Sequence, residues 1–281
     1  MDTELSFDNN HPLIISDGIY WVGYFDDYYD LHCNPFIITD GTESVIIDSG
    51  SRPDFSRMVV KILELGINPA DIVRLVYSHY DPDVCGNVPN LEALAAQCAE
   101  ESGKKVNLRI ITHSSNVPFL FHVGARSEFE ILNNIQNKFV FSSGRTLRFF
   151  HVPFCHAAGS FFTYDEKTGV LFTSDLFGKY SVRSDFYLTL PPKCLQICGM
   201  DCSMHNQKKN CPLDDMFKFH RETFPSAAAI QSAIATVKSL DVRIIAPQHG
   251  SVITCKDTIN AVCRGLAGLS GIGIEKHLPR A

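Results

Sequence analysis

Six side chains of types that hold metal ions or move protons recur at one kind of position in this 281-residue sequence. His79, Asp81 and Asp83 occupy alternate positions just after the apolar run at 73–77. His156, Asp175 and His249 each fall at or just past the end of a later apolar run. Loops leaving one edge of a sheet can converge, and rigid scaffolds carry their chemistry there. Three imidazoles and three carboxylates gathered in an acidic chain are unfavourable to bury unless a cation neutralises them. A metal site is the simplest expectation. The plainer alternative makes the same six residues turn and capping groups.

Apolar runs at 13–15, 19–22, 36–38 and 45–47, separated by Asp-Gly, Asn-Pro and Asp-Gly, predict strands. Phe55, Met58, Val59, Ile62 and Leu63 share one face at helical spacing, and 73–77 is a further strand. In the second half, 106–111 reads as a strand and 116–132 as mostly helix. Strands are expected at 138–141, 147–152, 160–164 and 170–174. Ile230, Ala233, Ile234, Val237 and Leu240 mark a late amphipathic helix, and 243–246 is a strand ending in Pro247-Gln248-His249-Gly250. Antiparallel strands followed by strands mixed with helices imply one layered α/β domain over 1–281, its sheets covered by helices. Residues 181–212 lose periodicity and read as a Cys-rich inserted loop.

Composition limits the partners. Lys and Arg total 25 against 31 Asp and Glu, a net charge of −6, which argues against nucleic acid and anionic membrane surfaces. No apolar run approaches the ~20 residues that span a bilayer, so no membrane partner is expected. The acidic start resembles neither a secretory signal nor a transit peptide, so a cytoplasmic location is expected. Ten cysteines scattered along such a chain read as reduced thiols or metal ligands. Cys85 and Cys155 adjoin the six residues and are expected nearby as buried thiols. Cys194, Cys198, Cys202 and Cys211 have a spacing that an Fe–S or zinc site could use, although structural sites favour tighter knuckles. His32, His113 and His151 are expected to be structural.

At these residues the sequence resembles a known family. The tract from His79 through Tyr80, Asp81, Pro82, Asp83 and Val84 is similar to the first metal motif of the metallo-β-lactamase fold, in its flavodiiron branch. His156, Asp175 followed by Leu176-Phe177-Gly178, and Pro247-Gln248-His249-Gly250 match the later elements in order and interval. The resemblance runs from about residue 18 to 253 and implies an αββα sandwich. It also implies two metal ions, one held by His79, Asp81 and His156, the other by Asp83 and His249, with Asp175 bridging. Oxygen-rich ligation with imidazole suits iron, with manganese or zinc as alternatives, and zinc has no redox chemistry.

Two departures from the pattern matter. Position 81 is Asp where the branch has Glu, and position 84 is Val where it has His, so the second ion loses a ligand. This truncated motif resembles stand-alone oxygen-binding di-iron proteins. Only 32 residues follow His249, and no Gly-rich phosphate loop follows a strand, so no FMN domain is expected in this chain. The implied function is binding, with or without reduction, of O2 or NO, with a separate electron-donor or signalling protein and a homodimer as expected partners. The alternative is a metal-dependent hydrolase of the same fold, in which metal-bound hydroxide is the nucleophile. Asp81 and Val84 both weigh against it.

Overall fold

Alternating apolar side chains along the strands supply two different cores, and this determines the layering. A computed structural model of the protein describes residues 7–25, 31–180, 185–198 and 211–277. Its first sheet takes β1 (Leu13–Ser16), β2 (Ile19–Trp21), β3 (Phe36–Asp40), β4 (Glu43–Ile47), β5 (Ile72–Val76), β6 (Arg109–Thr112) and β7 (Phe129–Ile131) in sequential order. The hairpins β1 to β4 are antiparallel, and β4 to β7 are parallel. The second sheet runs β12 (Ile244–Ala246), β11 (Val170–Phe172), β10 (Phe161–Asp165), β9 (Thr146–His151) and β8 (Lys138–Val140).

Phe36 and Ile38 on β3 and Val45 and Ile47 on β4 meet Phe149, Phe161 and Phe172 of the second sheet in the central core. The intervening Ile37 and Ile46 face outward onto helices α1 (Phe55–Glu64), α2 (Pro82–Cys85), α3 (Val88–Glu101) and α4 (Val117–Val123). On the second sheet Phe162, Leu171 and Ile245 face the opposite helical layer. That layer holds α5 (Pro192–Ile197), α6 (Asp214–Thr223), α7 (Ala227–Lys238) and α8 (Lys256–Ala267). The period of two along each strand thus builds the expected αββα sandwich.

Local departures from the sequence reading have visible causes. The helix expected at 116–132 ends at Val123, because Gly124 takes φ 106°, and the chain then forms edge strand β7. The strand expected from 106 begins at Arg109, and that expected to 174 ends at Phe172, before Ser174 at φ 51°. Within 181–212, residues 192–197 are helical rather than loop. Cys202 of the four-cysteine spacing lies outside the described residues. Among the described residues, no helix is long and apolar enough to cross a membrane.

Candidate metal centre

The parallel strands deliver their C-terminal ends to one edge of the sandwich. β5 leads to His79, β11 to Asp175 and β12 to His249, while the turn from β9 to β10 carries His156. Asp81 is the residue before α2, and Asp83 sits in its first turn. The Asp81 side chain makes no capping bond to the helix, so the plainer capping reading fails there.

The six side chains meet. His79 Nε2 lies 3.8 Å from Asp81 Oδ2 and 3.6 Å from Asp175 Oδ1. His156 Nε2 is 3.1 Å from Asp81 Oδ2 and 3.5 Å from Asp175 Oδ2. His249 Nε2 is 3.3 Å from Asp83 Oδ2 and 3.7 Å from Asp175 Oδ1. Two ligands each about 2.1 Å from a shared ion are separated by roughly 3.0–3.4 Å, so the spacing fits metal coordination with small adjustments. Among the described residues two ligating groups emerge, His79 with Asp81 and His156, and Asp83 with His249 and Cys33. Asp175 touches both.

Two atoms test the fit directly. His79 Nε2 and Asp175 Oδ1 are fully buried and have no hydrogen-bond partner. A buried polar atom left unpaired loses about 1–3 kcal/mol, and a cation between these two would satisfy both. The donor set and these orphaned atoms fit a two-metal centre.

The imidazoles of His249 and His79 are held from behind, which fixes which nitrogen faces the centre. His249 Nδ1–H donates to the carbonyl of His32 at 2.8 Å, leaving the Nε2 lone pair to face the centre beside Asp83 and Asp175. His79 Nδ1 is 3.0 Å from Ser174 Oγ and 3.2 Å from Ser78 Oγ. Ser78 in turn donates its backbone N–H and its hydroxyl to the two oxygens of Asp48, at 2.8 and 2.9 Å. Burial pushes the Asp48 carboxyl up to about 6. Asn34 fastens the His249 turn, donating to the carbonyls of Pro247 at 3.0 Å and Gly250 at 2.9 Å. Gly250 closes this turn at φ 80°, a region glycine enters without strain. Asp48, His156, Ser174 and Phe177 adopt φ of 50° to 71° without being glycine, a local concentration of strain of the kind functional sites hold.

Charge in the centre favours a cation. Burial opposes ionisation of Asp175, but His79, His249 and His156 outweigh it and hold the carboxyl below its ordinary range. Burial likewise works against the His156 imidazolium, yet Asp81 and Asp175 raise it to about 9. A metal entering the first group must displace that proton, so binding releases protons and strengthens with rising pH. His79, Asp175 and His249 are almost inaccessible, whereas Asp81 and Asp83 side chains remain 34% and 28% exposed. A cleft of about 450 Å³ opens beside the second group, lined by Tyr24, His32, Cys33, Asp83, Tyr180 and Glu222.

The turn that carries Asp175 rests on a residue the sequence reading passed over. His220 on α6 donates Nδ1–H to the Met216 carbonyl at 2.7 Å and accepts the Phe177 N–H at Nε2, 3.2 Å away. Both bonds require neutral imidazole, and burial lowers its pKa to about 4. The unfolded chain takes up this proton below about 6.5 and the folded chain only near 4, so stability falls as pH drops through that window. The loss approaches about 3 kcal/mol by pH 4. Urea denaturation of the parent at pH 7 and pH 4.5 should show this additional loss, and a His220→Leu variant, less stable at pH 7, should show a shallower acid dependence. Equal slopes for the two proteins would contradict it.

Cys85 and Cys155 are buried beside the centre as expected, and burial raises Cys85 to about 12. The Cys85 thiol donates to the carbonyls of Tyr80 and Asp81, each at 3.2 Å. His113 and His151 stack on each other, 4.1 Å between centroids, outside both ligating groups. Val84 is fully buried in the apolar layer under the helices, where the resembled motif has its histidine. Cys33, beside Asp83 and His249, was not singled out by its type or spacing.

Fold and site together define a metallo-β-lactamase-fold protein of the flavodiiron-like kind. More specifically, residues 31–250 match the ODP family beta lactamase, and the chain belongs to that family. It is 26% identical over 265 residues to an uncharacterized protein of Methanocaldococcus jannaschii, covering 89% of this chain and 58% of that one. It therefore spans little more than half the length of that curated relative. Its fold matches the apo state of the chemotaxis sensor ODP from T. denticola, with TM-score 0.69, 21% identity, and 94% and 95% of the two chains covered. It also matches the rubredoxin oxygen:oxidoreductase of Desulfovibrio gigas, with TM-score 0.70, 18% identity, and 92% and 61% covered.

Proposed function

We propose that the chain holds two iron ions and binds, with or without reducing, O2 or NO. His79, Asp81 and His156 would hold one ion, Asp83 and His249 the other, and Asp175 would bridge them. The observation that carries this reading is the pair of buried, unpartnered atoms, His79 Nε2 and Asp175 Oδ1, pointing into a cluster of imidazoles and carboxylates. Ferrous ions supply electrons and open coordination positions to a diatomic gas. The protein's own contribution is to orient the His79 and His249 imidazoles from behind and to keep one side open through the cleft. Support also comes from relatives. The chemotaxis sensor ODP has been solved as a peroxy diiron species, and a relative in Moorella thermoacetica is a nitric oxide reductase. Under this reading a separate electron donor or signalling protein completes the system, and a homodimer is its assembly.

The test is an anaerobic titration of the ferrous protein with O2. Two irons per chain and a saturable optical change at a fixed O2-to-protein ratio are expected. Zinc in place of iron in protein purified without air, or no optical change with O2, would overturn the reading.

A further inference from the structure

We propose that the Cys33 thiolate is a ligand of the second metal ion, occupying the role left open by Val84. The inference rests on the two-metal reading above and adds a ligand of a different chemical type to it.

Geometry carries the case. Cys33 Sγ is 3.9 Å from Asp83 Oδ2, and the ligating atoms of Cys33, Asp83 and His249 all lie within 4.8 Å of one another. A sulfur at about 2.3 Å and an oxygen at about 2.1 Å from one tetrahedral ion are roughly 3.6 Å apart, so a shift of a few tenths of an ångström brings both into place. The buried Asp175 Oδ1, without a hydrogen-bond partner, lies 3.7 Å from His249 Nε2 and marks the ion's position from the other side. Cys33 belongs to the chain entering β3, and its neighbours hold it at the site. Its successor Asn34 is bonded to the His249 turn, and the carbonyl of its predecessor His32 accepts the His249 ring. The cysteine is therefore anchored on both sides to the residue with which it would share the ion.

Charge points the same way. Two divalent cations bring four positive charges, and Asp81, Asp83 and Asp175 offset three of them. A thiolate supplies the fourth, leaving a neutral centre on a largely buried edge. On binding, the Sγ–H bond breaks, an Sγ–metal bond forms, and the proton leaves to water through the adjoining cleft. No electrons are transferred. The two halves then differ in kind, since His79, Asp81 and His156 offer only nitrogen and oxygen, whereas the second half offers sulfur as well. Soft sulfur raises the second half's preference for zinc or iron over manganese.

The test is cobalt(II) titration of the metal-free protein under anaerobic, reducing conditions, comparing the parent with Cys33→Ser and Cys85→Ser. The parent should develop an intense near-ultraviolet sulfur-to-cobalt charge-transfer band. Cys33→Ser should lose the contribution of one thiolate and bind one cobalt equivalent more weakly, by at least ~10-fold, the lower end for loss of even an outer-shell partner. Cys85→Ser should keep both. Far-UV circular dichroism checks that each variant folds, and the parent's band is informative without any variant. Two cobalt ions bound with no band in the parent, or an unchanged band in folded Cys33→Ser, would overturn the cysteine ligand and leave the two-metal reading standing. Failure of the parent to bind two cobalt ions would overturn both.

Discussion

Asp175→Asn should reduce the metal bound per chain from two equivalents to at most one, held weakly. Among the six residues only Asp175 faces both groups, with Oδ1 3.6 Å from His79 Nε2 and 3.7 Å from His249 Nε2, and Oδ2 3.5 Å from His156 Nε2. An amide has the same shape but lacks the charge that offsets two cations, and it offers a single acceptor oxygen. The loss should exceed the ~10–100-fold that follows removal of an outer-shell partner. The turn itself should survive, because Thr173 Oγ donates to the Leu176 carbonyl at 2.8 Å and the Leu176 N–H returns to the Thr173 carbonyl at 3.0 Å. The metal-free variant should therefore fold, and its unfolding temperature should respond much less to added metal. At metal levels 100 times the dissociation constant, the parent gains about 2.7 kcal/mol, which a 100-fold weaker variant largely forfeits. Equilibrium dialysis with elemental analysis measures the stoichiometry. Two tightly held metals in Asp175→Asn would show that the two groups do not share this carboxylate.

That prediction concerns a residue visible in the sequence, because a carboxylate just beyond a wholly apolar strand stands out against the run before it. Asp48, directly after β4, carries the same signal but is not among the candidate ligands. Its role behind His79 depends on Ser78, which comes from a different strand. Cys33 illustrates the same limit. Nothing local distinguishes it from the other nine cysteines, and only the approach of its loop to the His249 turn gives it importance. Helix α3 was missed for another reason. Its buried face is Val88, Leu91, Ala95 and Ala99, and small alanines carry little periodic signal. Strand β7 was hidden because it is an edge strand of three half-buried residues pairing, among the described residues, only with β6, so tertiary pairing rather than pattern decided it.

Removing one partner of the buried ion pair Arg145–Asp165 should destabilise the fold by about 3–5 kcal/mol, the largest stability effect expected for a single substitution away from the metal centre. The pair is bidentate, Nε to Oδ1 at 2.9 Å and Nη2 to Oδ2 at 2.8 Å, and its side chains are 2% and 0% exposed. Arg145 precedes β9 and Asp165 ends β10, at the edge of the sandwich opposite the metal centre. The guanidinium also donates to the Asp17 carbonyl at 3.1 Å and the Thr39 carbonyl at 3.3 Å, linking the second sheet to the first. Asp165→Ala would leave a buried guanidinium with carbonyl partners alone, which cannot neutralise its charge. Replacing both groups by apolar residues, Arg145→Met with Asp165→Leu, removes the stranded charge and should recover most of the loss. Urea denaturation of the single and double variants reads the two values, and metal stoichiometry should match the parent in every variant that remains folded. A loss below about 1 kcal/mol for Asp165→Ala would mean that water reaches Arg145 and screens it as at an exposed pair, so the clamp would contribute little to holding the sheets together.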